Sequence, residues 1–435
     1  MHRLFSSVIV LCMVGIILTG CGSPGTSGTN PQPSQATSES ARSQTQSDVT
    51  LSVINTKTDS KDYFTKFFND FTAKTGIKIQ YDVVASDQYG TVLPTRISSG
   101  DMPDVFQVFP GATEVGVVRF AKNGSLMDVT NDPFVTNQTD ATLAQLVIDD
   151  KQYCIATAQA VLAVLYNKAL FQKAGIDKAP ADINEFYVDC DKLKAAGITP
   201  MAVAGKAGLT FESFQIIPTT VFGPDPDFMT KAQNGTASFD SEGWQKGCNM
   251  ILEMQSKGYF EDKPLGVDYN AAEDMFLQGK VAMIFNGNWS FSDITTKGGD
   301  SFQFGAFFFP ANDPGTDYVT AGSLSELYSI SSETKHPVEA KMLLQYFNDN
   351  ASSLLSEYQA LPVTKGAQLS NPSPAVTELL PALQSHQQHT FLNNEWPAGM
   401  IDQFNKGLQE ILGQTKTTAQ MLKELNDYYI ANKDK

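Results

Sequence analysis

From Asp48 onward the chain alternates short β-branched runs with amphipathic segments of helical period, and this alternation is the strongest constraint on its fold. Val49–Ile54 alternates apolar and polar residues, as a strand does. Asp59–Lys74 places Tyr63, Phe64, Phe67, Phe68 and Phe71 at three- and four-residue steps, which puts the rings on one face of a helix. Thr75-Gly76 ends that helix, and Ile77–Val84 alternates again. A second helix is expected over Gln88–Ser99, closed by Gly100, and a third strand over Val105–Phe109. Strand–helix–strand–helix–strand with short turns predicts an α/β body with a mainly parallel sheet. The texture returns downstream. Ala160–Tyr166, Thr199–Ala204 and Val281–Phe285 read as strands. Asn167–Ala174, Asn184–Ala196, Gly243–Lys257, Ala271–Gln278, Gln403–Leu412 and Thr418–Ile430 read as helices, and Pro337–Tyr358 as one long helix. A chain of 435 residues has room for two such bodies.

The first 47 residues have another character. Met1-His2-Arg3 precedes an apolar run from Leu4 to Leu18, too short to span a bilayer as a helix. A basic start, a short apolar core and small residues after it describe a secretory leader over 1–20. Leu18-Thr19-Gly20-Cys21 resembles the bacterial lipobox, which implies cleavage before Cys21 and lipidation of its sulfur. Two or three acyl chains would hold the protein on a membrane stably. Residues 22–47 contain no aromatic and no large aliphatic side chain, so they read, with Cys21, as a flexible tether. Its root-mean-square reach is roughly 25–30 Å. The expected location is the extracellular or periplasmic face of the cell membrane.

The formal net charge of −16 argues against a nucleic-acid partner, which calls for a basic face. Cys154, Cys190 and Cys248 are odd in number and widely spaced, and are expected as small buried thiols, with a single disulfide left open. His386 and His389 lack a ligating motif and read as a surface pair, so no metal and no cofactor is expected.

Several segments, in order, resemble the family 1 extracellular solute-binding proteins of carbohydrate ABC importers. Phe71-Thr72-Ala73-Lys74-Thr75-Gly76-Ile77-Lys78-Ile79 is similar to the family's F-x-x-x-T-G-I-x-V, and Ser99-Gly100-Asp101-Met102-Pro103-Asp104-Val105 to its S-G-x-x-P-D-V. Leu165-Tyr166-Asn167-Lys168-Ala169-Leu170-Phe171-Gln172-Lys173-Ala174-Gly175-Ile176 is similar to Y-Y-N-K-x-L-F-x-K-A-G. Leu193–Pro200, Gly279–Trp289 and Gln359–Val363 follow in the family's order. The segment Tyr153-Cys154-Ile155-Ala156 departs from the family's Tyr-Gly-x-Pro, and no Trp stands in the helix after the Y-N-K motif. The resemblance implies a two-lobe periplasmic-binding-protein-like fold, each lobe a mainly parallel sheet flanked by helices, with a ligand cleft at the hinge. The lobes are expected over 48–158 plus 320–364 and over 159–319 plus 365–435. It also implies a monomer that captures a mono- or oligosaccharide by closure and hands it to the transmembrane subunits of an ABC permease.

Most motif residues read as structural. Gly76 and Gly175 end helices, and Pro103 opens a strand. Ligand contacts are therefore sought at the carboxyl ends of strands, where open α/β sheets bind. Sugars offer C–H faces to aromatic rings and hydroxyls to amides and carboxylates. On that chemistry the candidates are Asn55 and Lys57 after the first strand, Asp87 after the second, and Phe109 after the third. Gln159 is a candidate near the crossover, as are Asn288 and Trp289 after Val281–Phe285. Glu326 stands where the chain is expected to cross back, and Glu395 and Trp396 lie in a late loop. Helix capping and core packing are the competing roles for these residues; Trp244, on an amphipathic face, reads as core. A non-sugar solute such as a peptide or polyamine, a surface adhesin, or a secreted glycan-active enzyme stay open as alternatives. No G-x-S-x-G, Walker A or G-x-G-x-x-G pattern supports the enzyme.

Overall fold

A computed structural model describes residues 48–433 apart from 59 and 112, and leaves the side chains of 86, 87, 141 and 207 undescribed. The leader, Cys21 and the tether lie outside the described residues. What is described belongs to one compact unit, Thr45–Lys435.

Nine strands build the sheet: β1 (Thr50–Asn55), β2 (Lys78–Val83), β3 (Val105–Val108), β4 (Cys154–Asn167), β5 (Thr199–Ala202), β6 (Val281–Gly287), β7 (Phe304–Phe307), β8 (Thr320–Ile330) and β9 (Gln388–His389). Their order is β2-β1-β3-β8-β4-β6-β5, with β7 against β4 and β9 against β8. The expected mainly parallel sheet is in fact mixed. Neighbours joined by helical crossovers, β1 with β2 and β3, and β5 with β6, are parallel. The long strands β4 and β8 run antiparallel to their main partners, because they carry the chain from one end of the sheet to the other.

These two strands change neighbours along their length. β4 pairs with β8 from Cys154 to Val161, then with β6 from Leu162 and with β7 from Val164. Each end of the sheet has its own core on both faces. Leu51, Val53 and Val105 pack under the helix Lys61–Thr75 with Phe64, Phe67, Phe68 and Phe71, while Ile54, Phe106 and Val108 point to the opposite face. At the other end Leu162, Val164 and Met201 join one cluster, and Ala163, Leu165 and Ile284 another. That is the period-2 alternation of strands covered on two sides. At the crossover the β4–β8 ladder skips one pair, between Ala156–Leu327 and Ala158–Ser325. Glu326 sits there in the left-handed region at φ 54°, and Thr157 Oγ1 donates to its carbonyl at 3.1 Å.

The first helix ends as its sequence predicts: Gly76, at φ 78°, returns its N–H to the Thr72 carbonyl. The expected long helix over 337–358 divides into Pro337–Asp349 and Ala351–Tyr358. Asn350 breaks it, its side-chain amide donating to the Tyr346 carbonyl at 2.8 Å and competing with the helical ladder. Cys154, Cys190 and Cys248 are buried and unpaired, and Trp244 is fully buried, both in line with the sequence. The histidines differ from expectation. His389 stacks on Phe222 at 3.7 Å between centroids and faces Glu395, and His386 stacks on Tyr318 at 4.0 Å, so neither is a free surface residue. Among the described residues no helix is long and apolar enough to cross a membrane.

Candidate functional site

The carboxyl ends of β1 and β3 bring a polar network to the crossover. Asn55 ends β1 fully buried: its Oδ1 accepts from Tyr81 Oη at 2.8 Å and from the Lys57 N–H at 3.0 Å, and its Nδ2 donates to Tyr328 Oη at 3.2 Å. Its amide thus holds Tyr81, Tyr328 and the Lys57 backbone together at the end of β1. Lys57 and Glu326 form an ion pair, with the Lys57 ammonium 4.8 Å from the centroid of the Tyr358 ring. Gln107, which sequence reading missed, ties this pair to the strand end. Its Nε2 donates to Glu326 at 3.2 Å, and its Oε1 accepts from the Thr56 N–H at 2.8 Å. A central-strand glutamine carries no signal of its own in sequence; only the register of β3 against β8 puts it beside Glu326.

Phe109 is half-buried with its ring 6.3 Å from Tyr89, in the cluster that holds Phe106 and Val108. Asp87 lies in the helix Ser86–Ser98, but its side chain is outside the described residues. On the crossover itself, Gln159 Nε2 donates to Gln388 Oε1 at 2.5 Å. Asn288 accepts from the Val161 N–H at 2.9 Å and donates to the Gln359 carbonyl at 3.3 Å. Asn288 is buried and satisfies three backbone groups on two segments, those of Gln159 and Val161 on β4 and that of Gln359, so its amide pins these segments together.

Trp289 follows β6 and is half-buried. Its ring lies across Gly287, where an added Cβ would fall 2.1 Å from the indole. Phe211 meets it edge-on at 5.7 Å, and Tyr269 meets Phe211 at 5.9 Å with its hydroxyl 3.2 Å from Asn286 Oδ1. Phe211 and Tyr269 were not legible as site residues: each stands at the start of a helix, Thr210–Ile217 and Tyr269–Leu277, away from Trp289 along the chain.

The late loop divides its two candidates. Glu395 lies 3.3 Å from His389 Nε2, and burial pushes its carboxyl up to about 7 while lowering the imidazole. Trp396 is 3% exposed and packs among Phe214, Phe239, Trp244 and Phe404, the competing core role that the sequence also allowed. Asn394, which precedes them, touches the β3 side of the crossover: a Cβ on Gly111, itself at φ 81°, would fall 2.6 Å from the Asn394 carbonyl oxygen. Phe109 and Leu392, close by in sequence to these two, root in different core clusters, so this contact joins the two ends of the sheet.

Gly111→Val is therefore expected to push the Asn394 backbone away from Gly111. The backbone carbonyl cannot yield as a side chain can, and a β-branched residue is strained at positive φ. Small-angle scattering is expected to give a larger radius of gyration for the variant; an unchanged radius in a folded variant contradicts the role of this contact. A cavity of about 640 Å³ elsewhere, bounded by Thr219, Glu242, Asn312 and Tyr318, includes none of the site candidates. Among the described residues no group of three or more His, Cys, Asp or Glu could hold a metal ion.

Known proteins match this arrangement. Residues 56–352 match the family described as bacterial extracellular solute-binding protein. The multiple sugar-binding protein of Streptococcus mutans is 28% identical over 321 residues, 72% of this chain and 74% of that protein. A chitin oligosaccharide binding protein superposes with a TM-score of 0.77 at 21% identity, covering 89% of this chain and 99% of that one. The solute-binding protein RafE in complex with raffinose superposes with a TM-score of 0.76 at 22% identity, covering 88% and 98%. With a family match over most of the body and a mixed α/β sheet whose two ends share crossing strands, the chain belongs to the bacterial extracellular solute-binding proteins.

Proposed function

We propose that this protein captures a sugar, an oligosaccharide in the first instance, between two lobes that close around it, and delivers it unaltered to an ABC permease. What supports the reading is that side chains of two kinds lie near the strand crossover, aromatic ones after β6 and polar ones at the end of β1 and on β4 and β8, with Asn288, next to Trp289, bonded to the Gln159 carbonyl. Trp289, Phe211 and Tyr269 supply ring faces and edges on the β6 side. Lys57, Glu326 and Gln159 supply charged and amide groups on the crossover and the β1 side. Rings take the C–H faces of a pyranose, and charge-assisted hydrogen bonds take its hydroxyls. The names of the Streptococcus mutans relative and of the two superposed proteins, which concern sugars, support the same class of solute.

The lobes are proposed as 48–158 plus 320–364 and 159–319 plus 365–435, in keeping with where β4 and β8 exchange neighbours. The Cys21 lipid is proposed to hold the protein at the outer face of the membrane, within reach of its permease. No bond of the solute is broken in this mechanism; the work is recognition, closure and release. A micromolar dissociation constant corresponds to about 8 kcal/mol, within reach of a few stacked rings and charge-assisted hydrogen bonds.

A thermal-shift screen against mono- and oligosaccharides tests the reading. At least one glycan is expected to raise the melting temperature and to shrink the radius of gyration in scattering. Indifference to the whole panel, with a shift produced by peptides or polyamines instead, defeats the sugar assignment. Appearance of cleaved glycan during incubation defeats the binding-only mechanism.

A further inference from the structure

Two carboxyl groups lie buried beneath the aromatic wall, and neither contacts a cation. Glu212 directly follows Phe211 in the first turn of the helix Thr210–Ile217 and is 1% exposed; Glu261 is 5% exposed. Together they hold two consecutive backbone N–H groups just past the carboxyl end of β5. Glu261 Oε2 accepts from the Val203 N–H at 3.1 Å, and the Ala204 N–H reaches the Glu212 carboxyl. Each keeps a buried oxygen with no hydrogen-bond partner among the described residues, Oε2 of Glu212 and Oε1 of Glu261. The connection they grip, Val203–Phe211, is also confined elsewhere. Gly205 lies against the Pro264 carbonyl, and Gly208, at φ 99°, against Asn405, with no room at either for a side chain. At its end the connection delivers Phe211 to Trp289.

We propose that Glu212 and Glu261 are positioning residues that clamp the Val203–Phe211 connection as neutral acids, so that the Phe211–Trp289 wall loosens when they ionise. The relevance of that wall to sugar rests on the function proposed above; the clamp itself does not.

An ionised carboxyl with an unpartnered buried oxygen is strongly disfavoured, and a second carboxylate nearby disfavours it further. Burial accordingly pushes Glu212 up to about 8, with the charge of Glu261 adding to the effect, and Glu261 up to about 7. The two carboxyls repel each other when both are ionised, and this adds to the rise at Glu212, whereas burial is the largest cause at both. The lysine of the connection, Lys206, is engaged at the surface by Asp268 at 3.4 Å. The folded protein thus keeps protons that the unfolded chain releases above about 4.5. This contribution to stability is full below that value and is lost as the pH rises through about 7 and 8.

The test follows the Trp289 indole N–H resonance in sugar-free ¹⁵N-labelled protein, identified by its absence in Trp289→Phe. In the wild type it is expected to move with a midpoint between about 7 and 8. In Glu212→Gln and Glu261→Gln together the movement is expected to vanish, because glutamine keeps an acceptor for the backbone N–H without ionising. Glu212→Ala is expected to displace the resonance at every pH, and Glu212→Gln to restore it. A wild-type resonance that does not titrate, or one that titrates unchanged in the glutamine variants, overturns the proposal. If the double variant does not fold, Glu261→Gln alone and the wild-type titration carry the same comparison. No glycan enters this readout, so failure of the sugar assignment leaves its outcome intact, and failure of the clamp leaves the glycan screen intact.

Discussion

Trp289→Ala is expected to weaken sugar binding by about tenfold or more while the protein stays folded. The indole is half-buried and rests on Gly287, with Phe211 edge-on at 5.7 Å, so its removal takes the ring from the wall but leaves β6 and its core partners in place. The loss of one stacked face is worth about 1.4 kcal/mol, which is one decade in the dissociation constant. Calorimetric titration with the glycan that gives the largest thermal shift measures it. Unchanged affinity in a folded variant removes Trp289 from the site. Phe211→Ala is expected to act in the same direction, and the two losses are expected to be non-additive because the rings touch.

Trp396→Ala is expected to act on stability instead. The ring is 3% exposed, 5.2 Å from Phe404 and 6.1 Å from Trp244 between centroids, inside the cluster that also holds Phe239. Emptying such a site costs the transfer free energy of the ring and the cavity left behind, about 3–5 kcal/mol. Its buried indole N–H has no partner among the described residues, so Trp396→Phe is expected to cost less than the alanine. Urea unfolding of the two variants decides the matter. An alanine variant as stable as the wild type that no longer binds sugar would return Trp396 to the site.

The contrast between these two tryptophans shows where sequence reading stops. Both stand in loops after apolar segments, beside an asparagine or a glutamate, and both looked like stacking rings. Local pattern describes what a residue neighbours along the chain. Whether an indole faces a cleft or a core depends on what arrives from elsewhere: for Trp396, Phe214 from the helix Thr210–Ile217, Phe239 from a connection far upstream and Phe404 from the following helix. Asn55 and Asn288 make the same point. An amide at a strand end is equally suited to a hydroxyl or to a backbone group, and here Tyr81, Tyr328, Val161 and Gln359 claimed them.

Much was legible without coordinates, because it depends on short-range physics. Aromatic residues at helical spacing made the helix Lys61–Thr75, and Gly76 closed it. Alternating β-branched residues marked β1, β2 and β6 within a residue or two of their bounds. The order of the motifs carried the family, and with it the expectation of a binding protein. What tertiary structure alone decided concerns pairs distant along the chain: the antiparallel run of β4 against β8, the Lys57–Glu326–Gln107 network that this register assembles, and the Phe211–Trp289 contact. The physical reason is that periodicity and capping are set by a residue's immediate neighbours, whereas register and burial are set by whichever segments pack together.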